Sequence, residues 1–304
     1  QADDRWSRKT YAFLHDPPHK PLVLGQGHER IGADLARAWL GSDEGFARWH
    51  ALAKRADHIA SGADREGFLR QHAVDPRREL TLVHPLDGKP LHQLFETGPG
   101  SIEVQGLRLS ADDAAAAHQS MVRAFESVGR WLSEAEATPA ERYSMLWRLV
   151  PELLRAFERE TGEGRNLGAL WELLPADTRM PTHSVLGHCG LVAALTDVLA
   201  DDGRASLLMV AVGPVQGFIA SARRLSDLWA GSSLLSHAVW AGIQVVCEQL
   251  GPDHVVFPSL RGQPLFDRWL WGGVGRLKDP GSRPGPAAAV LDQLDESLSR
   301  RLRI

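Results

Sequence analysis

The sequence predicts an α+β fold in two parts: a mainly helical segment over residues 1–203, and a smaller ferredoxin-like β-α-α-β unit, incomplete as a domain, over 204–304. Three observations carry this expectation. Up to about position 200, apolar residues recur at spacings of three and four, the helical period. At Ser206 the pattern changes to an unbroken apolar run, Ser206–Val212 (SLLMVAV), as expected of a strand buried on both faces. At roughly 100–200 residues per domain, the length also gives room for two cores.

The helical part divides into Ile31–Leu40, Glu44–His72, Ser120–Glu136, Tyr143–Glu160 and Ser184–Ala200. Gly62 and Gly67 weaken the second of these, which is expected to break between Ala56 and Arg70. Ser184 is the expected N-cap of the last, which places His188 one turn inside it, against Leu191, Val192 and Leu195. Polar or Gly/Pro-rich connectors such as Asp75–Arg78 and Gly98–Gly100 lie between the helices. After the first strand, Gly213-Pro214 turns the chain into two helices, Val215–Leu228 and Ser232–Leu250, the second capped by Ser232. His254–Phe257 (HVVF) reads as a second strand. The Gly- and Pro-rich stretch Gly275–Pro286 reads as a loop, and an amphipathic stretch, Ala287–Ile304, follows.

Composition excludes several function classes. With 34 Lys+Arg against 38 Asp+Glu, the net charge of −4 argues against blanket nucleic-acid affinity while leaving room for a local basic groove. Cys189 and Cys247 form neither a disulfide scaffold nor the paired spacing of a zinc knuckle, so a reducing, cytoplasmic compartment is expected. The longest apolar candidate for a membrane span, Leu234–Leu250, is interrupted by His237, Gln244, Glu248 and Gln249, and no membrane partner is expected. The first residues, QADDRWSRKT, lack an initiator Met and a signal-peptide core, and the sequence reads as part of a longer chain. Histidine is unevenly spread: 11 of 13 fall at or before position 188.

Three histidine–aspartate elements stand out. His15-Asp16 follows Tyr11-Ala-Phe-Leu and precedes Pro17-Pro18, which would stop a helix there. An adjacent His and Asp at a helix end can face one divalent cation, and Lys20, four residues past the Asp, can hold a phosphate oxygen beside it. By itself such a dipeptide is most often a surface pair or a helix cap. Asp57 sits on the second helix with His50 and Asp64 seven residues to either side; this reads as a solvated polar face, or as a buried acid among Ala56, Ile59 and Ala60. His183 and His188 form the third element, and a lone His on an apolar helix face is commonly a satisfied core residue.

Taken together, H-D-P-P-x-K at the start, A-D-x-I-A-S in the middle and D-T-R-x-P-x-H-S…H at the end resemble the HD phosphohydrolase superfamily with its order circularly permuted, the lone His coming last. That permutation resembles the large subunit of type III CRISPR effector complexes, type III-B (Cmr) in particular. Val212–Ile219, Ala222–Ser236 and Phe257–Asp267 resemble the same subunit's first palm domain. The resemblance covers most of positions 11–270 and is weakest between about 75 and 170.

What the resemblance implies is a metal-dependent nuclease acting on single-stranded DNA and switched on when a guide-RNA complex binds target RNA. His15, Asp16, Asp57 and His188 are the implied ligands of a divalent transition metal (Mn, Ni or Co rather than Mg), with His183 as an extra ligand or phosphate contact. His15, Asp16 and Lys20 are the implied catalytic residues, attacking phosphorus with metal-activated water. Implied partners are other Cmr-type subunits, especially the one capping the guide RNA, together with guide and target RNA. Gly187 stands where many relatives have Asp, which bears on how the last histidine is supported. The Gly-Gly-Asp-Asp of the family's cyclic-oligoadenylate centre does not occur in these 304 residues.

In the second part, Gly213, Gly231, Ser232 and Ser233 are candidate nucleotide contacts, with ATP as the implied ligand; a tight turn and a helix cap explain the same residues. Two rival readings remain: an HD phosphohydrolase acting on small nucleotides, and a non-catalytic scaffold with a degenerate metal site.

Overall fold

The computed structural model of the chain describes residues 2–23, 27–42, 44–64, 82–84, 89, 111–161, 172–177, 180–201 and 203–274. Among these, the chain is built of helices: α1 (Ala2–Leu14), α2 (His28–Leu40), α3 (Glu44–Asp64), α4 (Ala111–Glu134), α5 (Pro139–Thr161), α6 (Val185–Ala200), α7 (Val215–Ala220), α8 (Leu225–Gln249) and α9 (Pro264–Val274), with short 3-10 turns at Lys20–Leu22 and Pro252–His254.

Local chemistry sets the helix ends. Pro17-Pro18 follow α1 closely and cannot continue it. Gly41, at φ +71°, closes α2 by donating its N–H to the Arg37 carbonyl. A capping box opens α5: the Thr138 hydroxyl accepts from the Glu141 N–H (3.3 Å), and the Glu141 carboxylate accepts from the Thr138 N–H (2.8 Å). Ser184 caps α6 as expected, its Oγ accepting from the Gly187 N–H at 3.1 Å.

Helix α1 is the hub, packed against α6, α3, α5 and α2. Its C-terminal end and the following turn are buried continuously from Tyr11 to His19. Two close crossings depend on glycine. A Cβ on Gly32 of α2 would lie 2.3 Å from the Leu14 carbonyl oxygen and 2.4 Å from that of His15. A Cβ on Gly129 of α4 would lie 2.4 Å from the Trp39 carbonyl oxygen. The main core contains Phe13, Trp39, Phe125, Leu146 and Val150, and it extends past position 203 through Cys247, Leu260, Phe266 and Leu270.

The mainly helical character agrees with expectation, but the β-α-α-β unit is not formed among the described residues. Ser206–Val212 has no regular secondary structure, and Leu207, Leu208 and Met209 are 85–90% exposed. A strand needs a neighbour to accept its hydrogen bonds, and none of the described residues supplies one. His254 ends a 3-10 turn, so the expected strand His254–Phe257 is not present either. The two intervening helices exist with different bounds. The first stops at Ala220, and α8 starts at Leu225 and runs unbroken through Ser232, which is therefore not an N-cap. Helix α8 is long and apolar enough to cross a membrane by length and composition alone. Its C-terminal half is tied to the core by Trp240, Ile243 and Cys247. Of the helix expected over Glu44–His72, the part beyond Asp64 lies outside the described residues, as does Ala287–Ile304.

Candidate metal centre

Four side chains from three separate segments converge at the end of α1. His15 and Asp16 follow its last turn, Asp57 comes from α3, and His188 from α6. One ligand-type atom from each lies within 4.8 Å of all the others. His188 Nε2 is 3.0 Å from Asp57 Oδ1 and 4.0 Å from Asp16 Oδ2. His15 Nε2 is 3.5 Å from Asp16 Oδ2 and 3.9 Å from Asp57 Oδ1. These are separations that ligands take around one ion held at about 2.0–2.2 Å from each.

The ligand orientation is prepared by the local fold. His15 Nδ1 donates to the Ala12 carbonyl at 2.7 Å, which turns Nε2 inward, where it is buried without a hydrogen-bond partner. The N-cap at Ser184 starts α6 so that His188 points back at α3. Cys189 Sγ donates to the Asp16 carbonyl at 3.6 Å and fixes the dipeptide's backbone against α6. Ser61 Oγ, one turn on in α3, donates to Asp57 Oδ1 at 3.0 Å. Asp16 and His188 are buried, whereas Asp57 is half-buried, which gives the cluster an opening to solvent.

Burial opposes ionisation of His15, Asp16 and Asp57, and the opposite charges outweigh it. The Asp16 carboxyl is penalised by burial, yet His15 and Lys20 hold its pKa below the ordinary value. Burial likewise penalises Asp57, but His15 close by and the hydrogen bond from His188 push its pKa far down. His15 is raised well above an ordinary histidine because Asp16 and Asp57 outweigh its desolvation. This is a site built for positive charge. Two imidazole nitrogens with two carboxylate oxygens suit a first-row transition metal better than Mg²⁺.

Lys20 Nζ donates to Asp16 Oδ2 at 2.5 Å, on the oxygen that faces the cluster. His183 stands beside the cluster: its ring centroid is 5.9 Å from that of His188, and its Nδ1 lies 3.3 Å from Thr182 Oγ1. His50, expected on the Asp57 face, instead meets the Tyr11 hydroxyl at 3.2 Å. One neighbour escaped sequence reasoning: His28 Nε2, at the start of α2, is 3.6 Å from Asp16 Oδ1. It belongs to no recognisable spacing with His15-Asp16, because a helix crossing at Gly32 brings α2 to the end of α1, and no sequence signal marks it.

The second candidate site is different in kind. Gly213 and Ser233 are exposed and Gly231 is half-buried. Gly231, Ser232 and Ser233 lie inside α8, so their N–H groups do not form a helix N-terminus there. Ser236 Oγ donates to the Ser232 carbonyl at 3.0 Å. The structure does not gather these four residues into a cradle.

Fold and site together define a helical protein with a two-histidine, two-aspartate candidate cation centre. Comparison with known proteins gives the family. Residues 207–300 match the family "CRISPR-associated protein Cmr2, N-terminal". The chain is 36% identical over 314 residues to the CRISPR system CMR subunit Cmr2 of Saccharolobus solfataricus, with 96% of the chain covered. It is 26% identical over 329 residues to the Cmr2 subunit of Pyrococcus furiosus, with 97% covered. The chain belongs to the Cmr2 family of type III-B CRISPR large subunits and corresponds to its N-terminal part. It spans 36% of the length of the Pyrococcus relative and 26% of the Saccharolobus one.

Proposed function

We propose that this chain carries the metal-dependent nuclease of a type III-B effector complex, a circularly permuted HD domain that hydrolyses single-stranded DNA when the complex engages target RNA. The observation that carries the reading is the meeting of His15, Asp16, Asp57 and His188 within 4.8 Å, from three segments far apart in sequence. A divalent cation held there supplies Lewis acidity, activating water and offsetting charge at phosphorus. The chain's own groups do the rest. His15 and His188 present Nε2, Asp16 and Asp57 neutralise charge, and Lys20, released from Asp16, contacts a non-bridging phosphate oxygen. The half-exposed edge at Asp57 is where the strand would reach the cluster.

The second part is read as the start of a palm domain. Its exposed apolar residues, Leu207 to Val210 with Phe218, Leu225 and Trp229, form a surface that calls for a covering partner. Ser206–Val212 becomes a sheet strand once the remainder of the large subunit lies beside it. ATP at the palm through Ser232 and Ser233, contacts with the subunit capping the guide RNA, and a cytoplasmic setting complete the proposal. Incubating the chain with single-stranded DNA and Mn²⁺, beside Asp16→Ala, tests it. Cleavage by the wild type alone supports the nuclease. Equal cleavage by both removes it, turnover of free nucleotides alone selects the small-nucleotide hydrolase, and a chain that binds no Mn²⁺ selects the scaffold.

A further inference from the structure

Helix α1 carries three basic residues, Arg5, Arg8 and Lys9, on one side, about one and a half to two and a half turns before its end at Leu14. Arg5 Nε and Arg8 Nη2 both donate to Oδ1 of buried Asp197, at 3.0 and 2.9 Å. Asp197 lies on α6, nine residues past His188. Arg5 Nη1 also donates to the Gln249 carbonyl, the last residue of α8, at 3.2 Å. Lys9, fully buried, donates to Asp253 Oδ2 at 2.7 Å and to His254 Nδ1 at 3.1 Å in the turn after α8.

The arrangement is a lever. Helices α1 and α6 run antiparallel, pinned at one end by Asp197, with the candidate ligands at the other end, where Cys189 meets the Asp16 backbone. Lys9 sits between, about 9 Å along the helix from His15. Its counter-charge comes from a segment that contributes no ligand. The fit is close: a Cβ on Gly251, at φ +105°, would lie 2.6 Å from Asp253 Oδ1 and 3.2 Å from Lys9 Cε.

We infer that Asp253 is a positioning residue for the metal centre, holding α1 through Lys9 so that His15 and Asp16 stay in register with Asp57 and His188. The inference rests on the metal-centre reading above. It makes the turn after α8 a point through which a movement of α8 reaches the ligands.

The test is Mn²⁺ binding by calorimetry on the full chain, at a temperature where each variant keeps wild-type helical circular dichroism. Asp253→Asn weakens binding roughly tenfold, while Tyr143→Phe, which trims the same buried cluster without cutting the tie, stays within about twofold of wild type. Unchanged affinity in Asp253→Asn overturns the inference, and so does an equal loss in Tyr143→Phe, which would mark general destabilisation. Should Asp253→Asn fail to fold, the double variant Lys9→Met with Asp253→Leu replaces the buried pair by apolar side chains and leaves no unpaired charge; a roughly tenfold loss supports the inference, and unchanged affinity overturns it. A wild-type chain that binds no Mn²⁺ overturns the metal-centre reading itself, and the inference with it.

Discussion

Gly32 and His15 touch backbone to backbone: the space for a Cβ on Gly32 is taken by the His15 carbonyl oxygen, 2.4 Å away. Helix α2 crosses the end of α1 at the position where the candidate ligands begin. Gly32→Ala therefore forces the helices apart instead of filling a void. Overpacking of this kind costs about 1–3 kcal/mol, and thermal denaturation should show a lowered midpoint. Mn²⁺ affinity should fall with it, because the displaced backbone is that of a ligand. An unchanged midpoint would mean the crossing is looser than the geometry indicates.

Lys20 plays two parts that mutation separates. Its ammonium lies 2.5 Å from Asp16 Oδ2 and competes with a cation for that oxygen. Lys20→Met should leave Mn²⁺ binding equal or tighter while lowering cleavage of single-stranded DNA roughly 10²-fold, by loss of charge at the phosphate. Binding and cleavage read on the same preparation separate the two effects. Loss of metal binding in the variant would assign Lys20 a purely structural role.

His19 gives the chain an acid sensitivity of calculable sign. It is fully buried, and burial, then the neighbouring His118, lower its pKa from 6.5 to about 3. Neither ring nitrogen has a hydrogen-bond partner, and the ring stacks on His118 at 5.6 Å. Between these two values the unfolded chain binds a proton that the folded chain refuses. This contribution is complete above pH 6.5 and is lost towards pH 3, at up to about 1.4 kcal/mol per unit. His19→Phe should flatten the pH dependence of the melting temperature across that window; an unaltered slope would assign the acid response to other groups.

Gly187 occupies the third position of α6 and is exposed, with only Ser184 Oγ, at 3.4 Å, near its absent Cβ. Gly187→Glu completes a capping box with Ser184 and removes a helix glycine, so stability should rise by about 1 kcal/mol. Chemical denaturation measures the gain; a loss would show that the start of α6 tolerates no side chain there.

Much of this site was legible because its geometry is local. Pro17-Pro18 marked the end of α1, and Ser184 fixed the phase of α6 and hence of His188. The convergence itself is not local, and only the joint pattern of three motifs pointed to it. His28 was missed because a helix crossing, not a spacing, brings it to Asp16. Lys9 and Asp253 were missed for the same reason, as partners 244 residues apart. The reading of Ser206–Val212 took apolar content as evidence of burial. Strand status depends on a neighbour as well as on composition, and no described residue pairs with that run. The sequence places a helix start at Ser232, yet α8 runs from Leu225 through Gly231, Ser232 and Ser233 without a break.

The central claim is that His15, Asp16, Asp57 and His188 hold one divalent cation. Metal analysis of the purified chain after equilibration with Mn²⁺ and removal of excess tests it most directly, alongside Asp16→Ala, Asp57→Ala and His188→Ala. The account predicts about one equivalent or more in the wild type and a loss of roughly 10-fold or more in affinity in each variant that remains folded. Less than one equivalent in the wild type, or retention unaffected by all three substitutions, would contradict it.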